Sequence, residues 1–168
     1  MWVKFDVKLT SEDMYRFNIH HAYTSLQGIL SLVMGVFIIA VIIISGQFQK
    51  FITAVPYVAL ALIFLLYIPI TLWFRSKRQI LMSDVLGEPL HYELTDEGIV
   101  VTSDALEEQA LLPWKQVYKA VTTKYNFLIY SNRVNAYIIP KAQVEQQLSA
   151  IYDAFESHCE AYRLKIKR

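Results

Sequence analysis

The sequence predicts a mixed α+β membrane protein, in which a two-helix transmembrane hairpin is inserted in a small antiparallel sheet capped by a C-terminal helix. Three observations carry this reading. Between Arg16 and Lys50, and again between Lys50 and Arg75, there is no Asp, Glu, Lys or Arg. On both sides of that apolar third, hydrophobic and polar residues alternate with a period of two, the pattern of half-buried strands. After Pro140 the period becomes helical.

The hydrocarbon core of a bilayer is about 30 Å thick and is crossed by roughly 20 residues of helix. Residues 26–45 and 51–74 both meet that length, and the short loop Ser45-Gly46-Gln47-Phe48-Gln49-Lys50 joins them. The Ile, Leu, Val and Phe residues from Ile29 to Ile44 together favour insertion by about 4 to 7 kcal/mol. The competing reading is a pair of buried helices in a soluble protein, which two adjacent spans with charged flanks oppose. Pro56 and Pro69 fall inside the second span, and Pro69 is expected to kink it before its exit. There Trp73 and Phe74 meet Arg75, Lys77 and Arg78, an interfacial belt followed by a basic cluster. Lys4, Lys8 and Arg16 flank the entry to the hairpin, whereas its loop carries only Lys50. The positive-inside bias therefore makes this a multi-pass protein of the cell membrane with both termini cytoplasmic.

Composition narrows the function classes. A net charge of +1 gives no basic field for nucleic acid. The single Cys159 excludes an intramolecular disulfide and metal sites built on several thiolates. The charged, amphipathic start does not resemble a cleavable leader, so the first span is expected to act as its own insertion signal.

Taken in order, Val3, Phe5, Val7 and Leu9 alternate with Lys4, Asp6 and Lys8 as a strand that needs a partner later in the chain. Thr10 is placed to cap a helix, with Asp13 near its positive end and Leu9 and Met14 spaced as a staple. That helix is expected to run through Tyr15, Phe17, Tyr23 and Leu26 into the first span, its early part interfacial. After the second span the helix is expected to extend from Gln79 to Leu86 and stop at Gly87. Strands follow at 90–95, 99–103, 108–113, 116–123, 126–130 and 134–140. Gly98 is expected to supply a positive φ in the Asp96-Glu97-Gly98 turn. Val144, Leu148, Ile151, Phe155, Cys159 and Tyr162 then form one apolar helical face.

One strand before the hairpin, six after it and a final helix make the pleckstrin-homology-like arrangement, a strongly bent antiparallel sheet closed by a helix. The divisions are residues 1–27 for the strand and interfacial helix, 28–78 for the hairpin and 79–168 for a cytoplasmic domain completed by strand 3–9. The alternative is an independent six-stranded sheet with the first strand covering an edge.

The segments Tyr92-Glu93-Leu94-Thr95-Asp96-Glu97-Gly98-Ile99 and Leu112-Pro113-Trp114-Lys115-Gln116-Val117 resemble the YcxB-like family of bacterial membrane proteins. So do Phe127-Leu128-Ile129-Tyr130, Ala136-Tyr137-Ile138-Ile139-Pro140-Lys141 and the start from Leu9 to Phe17. The resemblance implies two transmembrane helices and a cytoplasmic domain of pleckstrin-homology-like type. It carries over no functional residue.

Chemistry-bearing clusters are few. His20 and His21 point about 100° apart on a helix and have no His, Asp or Glu one turn away, which favours an interfacial or packing role over metal binding. Cys159, beside His158, belongs to the apolar face. The carboxylate pairs Asp96-Glu97 and Glu107-Glu108 are expected to be solvated loop charges. No phosphate loop, nucleophile elbow or His-Glu-x-x-His motif occurs. Trp114 either packs on the C-terminal helix or is an exposed anchor for a membrane or partner. Arg75, Lys77 and Arg78, with Arg163, Lys165, Lys167 and Arg168, suit anionic lipid or simply mark the cytoplasmic side. The expectation is a non-enzymatic, membrane-anchored binding or regulatory protein with no cofactor and no nucleic-acid partner, working beside the lipid bilayer with a protein partner or as a homo-oligomer. An anionic-lipid-sensing module is the alternative, and an enzyme with an unrecognised site the remote one.

Overall fold

A computed structural model describes residues 3–46 and 51–167. Loop residues 47–50 with the Lys50 charge, the terminal Arg168, and the side chains of 51–53 and 106–108 (Glu107 and Glu108 among them) lie outside what it describes. The chain forms two compact units, one of Asn18–Ser76 and one of Met1–Phe17 with Lys77–Arg168.

The second of these is a mixed unit. Its first strand, β1 (Val3–Val7), buries Val3, Phe5 and Val7 and exposes Lys4 and Asp6, as the alternation requires. It is antiparallel to β2 (Leu90–Leu94), with Phe5 opposite Tyr92 and their rings stacked 5.2 Å apart. The order continues through β3 (Gly98–Ser103) to β4 (Leu106–Pro113), all antiparallel. A second four-stranded sheet has the order β7 (Ala136–Pro140), β6 (Asn126–Tyr130), β5 (Lys119–Thr122) and β8 (Leu164–Lys165). The expected single bent sheet is thus two sheets. The unforeseen β8 runs parallel to β5, and Leu164 and Ile166, alternating with Arg163, Lys165 and Lys167, turn partly onto the core.

Both sheets contribute to one core. Every residue of β6 is buried, and Phe127 packs edge-on against Tyr152 and Phe155. The last two belong to α4 (Leu148–His158), which is shorter at both ends than the periodicity suggested. Val144 is buried but lies in a turn ahead of the helix, Cys159 only caps it, and Tyr162 is 75 % exposed. Strand 116–123 also contracts, because residues Trp114–Gln116 form a 3-10 turn and β5 starts at Lys119.

Helix α1 (Ser11–Tyr23) starts as its sequence dictates. The Asp13 amide donates to Thr10 Oγ1 at 3.2 Å, and the Thr10 amide and hydroxyl donate to the Asp13 carboxylate at 3.2 and 2.6 Å. This reciprocal cap satisfies donors that a helix start leaves unpaired. Leu9 and Met14 are buried beside it, and the Asn126 side-chain Nδ2 donates to the Asp13 carbonyl.

The helical unit corrects one boundary. α1 does not continue into the next helix, α2 (Leu26–Ile44), since Ser25 is extended at φ −84° and ψ 152°. Its hydroxyl donates to the Ala22 carbonyl and accepts from the Gly28 amide. A Cβ on Gly28 would lie 2.1 Å from the Ala22 carbonyl oxygen, so the break requires glycine there. α3 (Phe51–Leu81) is uninterrupted through Pro56 and Pro69. Gly28, Gly35 and Ile42 are buried on α2, and Ala54 and Ala61 on α3, each seven residues apart. Small residues such as Gly35, Ala54 and Ala61 let two helices approach closely. A Cβ at Gly35 would meet Leu65 at 2.7 Å, and the Ser31 hydroxyl donates to the Phe64 carbonyl at 3.0 Å. Both helices are long and apolar enough to cross a membrane. α3 stops at Leu81, well short of Gly87, where the Ser83 hydroxyl accepts the Leu86 amide and starts a turn.

Candidate interaction face

The outward face of the first sheet gathers the polar residues that alternation leaves on β1, β2 and β3. Register places Lys4, Glu93, Val100 and Leu111 in one row across the four strands. Lys4 and Glu93 form an ion pair at 3.1 Å. The neighbouring row holds Asp6, His91 and Thr102. His91 Nδ1 lies 2.7 Å from the Asp6 carboxylate, and Nε2 lies 3.3 Å from that of Asp104. Only a doubly protonated imidazole donates from both nitrogens. The hydrogen bond to Asp6 is the main reason that His91 holds its proton to higher pH than an ordinary histidine, with the charges of Asp6 and Asp104 adding to it.

Beside this row lies a groove of about 530 Å³. Val100, Leu111 and Gln109 supply its less charged part, and Glu93, Asp96 and Glu97 its acidic part. The turn that carries Asp96 and Glu97 is anchored from below. The Thr95 amide and hydroxyl both donate to the Gly98 carbonyl, and the Trp114 indole Nε1 donates to the Thr95 carbonyl at 2.9 Å. Gly98 serves close approach rather than a positive φ, which corrects the sequence expectation. Its Cβ would sit 2.4 Å from the Leu112 carbonyl, and among the described residues only Gly46 has a positive φ.

Beyond the groove β4 is the edge of the sheet. The Trp114 amide donates to the Glu97 carbonyl, so Glu97 and Trp114 are a hydrogen-bonded pair. In an antiparallel ladder such pairs alternate, which leaves Val100 and Leu111 as a non-bonded pair. The N–H and C=O of Leu111 therefore point away from β3. Pro113 falls at an equivalent position, where its lack of an N–H costs no ladder bond. Gln109, Ala110 and Leu111 are consecutively exposed.

The residues singled out from sequence fall in different settings. Trp114 is 6 % exposed, stacked on His158 at 4.7 Å and edge-on to Phe155 at 5.1 Å, so it packs in the core rather than facing outward. Arg75, Lys77 and Arg78 are exposed on the last turns of α3, with Arg78 Nε donating to Met82 Sδ at 3.0 Å. Arg163 is engaged within the chain. Its Nη1 donates to the carbonyls of Lys115 and Val117 at 2.9 and 3.0 Å, which ties the C-terminal segment to the turn before β5. Lys165 is exposed on β8. Cys159 packs partly against the core, and burial pushes its thiol up to about 11. Glu107 and Glu108 belong to β4 rather than to a turn. The described residues contain no group of three or more His, Cys, Asp or Glu placed to hold a metal. The His91 cluster and the groove escaped sequence reasoning because Asp6 and His91 are 85 positions apart and meet only through the β1–β2 register.

A family model described as YcxB-like protein matches residues 94–155, from the end of β2 into α4, which is less than half of the chain. The match includes the groove residues from Thr95 to Leu111 and Trp114. No curated protein and no solved structure matches the chain.

Proposed function

We propose that this chain is a non-enzymatic, membrane-anchored binding or regulatory protein that presents a pleckstrin-homology-like unit at the cytoplasmic face of the membrane. The observation that carries the reading is the acidic groove and open strand edge on a unit whose sheet is interrupted, in sequence, by two long apolar helices. Those helices resemble neither core nor surface helices of a soluble protein. Over their most apolar stretches only 17 % and 6 % of residues are buried, so their apolar sides need lipid or another partner. The distribution of positive charge, with Arg75, Lys77 and Arg78 after the second helix and Lys4, Lys8 and Arg16 before the first, supports cytoplasmic termini. Two sheets closed on one core with α4 support the pleckstrin-homology-like assignment. The groove favours a protein partner over anionic lipid, because its carboxylates repel phosphate and Arg163 is already spent on backbone carbonyls.

Two measurements test this. The full chain, purified from membranes in mild detergent, should bring down a stoichiometric second polypeptide or run as a homo-oligomer, whereas a bare monomer in several detergents counts against a binding role. Orientation is read with Lys167→Cys on a Cys159→Ala background. An impermeant maleimide should label it only after cells are opened, and labelling of intact cells would reverse the topology.

A further inference from the structure

We infer that the open edge of β4 and the groove beside it receive an extended segment of a partner protein in which basic and apolar residues alternate. This deepens the binding reading above and rests on it. The other strand edges are capped at one end, covered or short. The end of β1 is occupied by Gln143, whose side-chain oxygen accepts the Lys8 amide at 2.9 Å and whose nitrogen donates to the Lys8 carbonyl at 2.8 Å. β7 is buried from Ile138 to Pro140, and β8 has two residues. β4 presents an outward N–H and C=O at Leu111 together with three consecutive exposed residues, and the acidic groove is lined by Gln109 and Leu111 of β4 and by no described residue of β1. Pro113 and the register shift between Val101 and Ser103 bound that window. Both are devices that keep an edge from pairing indiscriminately. Backbone pairing is therefore local, and side chains must supply the rest of the recognition.

The groove specifies those side chains. A strand laid about 4.8 Å outside β4 sends every second side chain to the outward face, beside Leu111 and Val100. Leu111 is 49 % exposed and offers apolar contact there. Asp96 and Glu97 stand at the same end of the sheet on the anchored turn. Three carboxylates, Glu93, Asp96 and Glu97, line the groove, with Lys4 paired to Glu93 and His158 Nε2 4.0 Å from Asp96, so the lining is acidic toward its Glu97 end. Lysine or arginine is attracted to that site and phosphate or acidic side chains are repelled.

The test uses the full chain in detergent and a displayed library of random nonapeptides. Selection should enrich sequences alternating Lys or Arg with Val, Ile or Leu. Their affinity should fall with salt and drop about tenfold or more when Asp96→Lys and Glu97→Lys are combined. Leu111→Pro, which removes the outward N–H, should weaken binding with the melting midpoint unchanged. If that variant fails to fold, methylation of alternate peptide amides on the selected peptide decides, since it abolishes pairing without touching the protein. No enriched sequence, an enriched acidic one, or equal affinity for the charge-reversed protein overturns the inference, as does equal binding of the methylated peptide. A native partner that binds the charge-reversed chain undiminished would leave the general binding role standing and remove the groove from it.

Discussion

His91 joins Asp6 on β1 to Asp104 beyond β3, and its proton is what lets it bridge both. Its pKa is raised in the folded chain, so the stabilisation is complete below the unfolded value near 6.5 and is lost as pH rises through the higher folded value. Melting of the full chain against His91→Gln should therefore differ on the acidic side and converge on the alkaline side. A constant difference would mean that the ring acts by packing alone. Tyr92 tests a different term. Its hydroxyl is buried with no hydrogen-bond partner among the described residues, and burial pushes its pKa up. Tyr92→Phe keeps the stack on Phe5 and removes an unpaired polar group, so it should be neutral or stabilise by about 1 kcal/mol in denaturant melts. A loss larger than that would show the hydroxyl to be satisfied. Residue identity alone had left Trp114 open between core and surface, and its ring contacts place it in the core. The glycine at position 98 was legible as a requirement, but the reason was not. Local turn chemistry suggested a dihedral angle, while the crowding comes from Leu112 on β4.

Elements were most legible where one face is simply wet and the other dry. The alternation from Val3 to Leu9 marks β1 because it has such faces, and its partner followed from topology rather than pattern. Phe5→Ala should cost about 3–5 kcal/mol, since it removes a nearly buried ring against Tyr92. Ends were less legible. The α1–α2 break hides inside unbroken apolar periodicity, and only Thr24-Ser25 followed by Gly28 hints at it. The apolar face that made α4 look long is real from Val144 to Cys159, but a turn supplies its first member and Tyr162 leaves it for solvent. Gly35 offers a test of helix approach. Gly35→Leu would force a side chain into Leu65 and should separate α2 from α3, read as loss of a cross-link between cysteines placed at Ser31 and Phe64. An unchanged cross-linking yield would mean that the helices do not depend on this contact.

At the scale of the molecule, the mixed unit is assembled from two stretches of chain with the helical unit between them in sequence. β1 and the turn after it bring Val3, Phe5, Val7 and Leu9 to the core. Each buried side chain of this kind is worth roughly 1.5–3 kcal/mol as an upper estimate, against a typical total stability of about 5–15 kcal/mol. A chain lacking residues 1–9 should therefore lose cooperative melting of the mixed unit and expose β2 as a new edge, detected as protease cleavage near Leu90 or as aggregation. Retention of the full-length midpoint would show that β2, β3 and β4 hold their sheet unaided. The groove could not be read from sequence at this scale, because a groove is a property of register and of what covers each face.

The separation of β1 from β2 also has a consequence for biogenesis. β1 leaves the ribosome first and must wait, unpaired, until both apolar helices and β2 have been made. With the topology proposed here, a chain in which one helix fails to insert leaves β1 and β2 on opposite sides of the bilayer, and the sheet cannot close. Completion of the sheet is then a built-in report that insertion succeeded. A misinserted copy announces itself through a naked β2 edge that cellular proteases can find, whereas a correct copy erases that signal by folding.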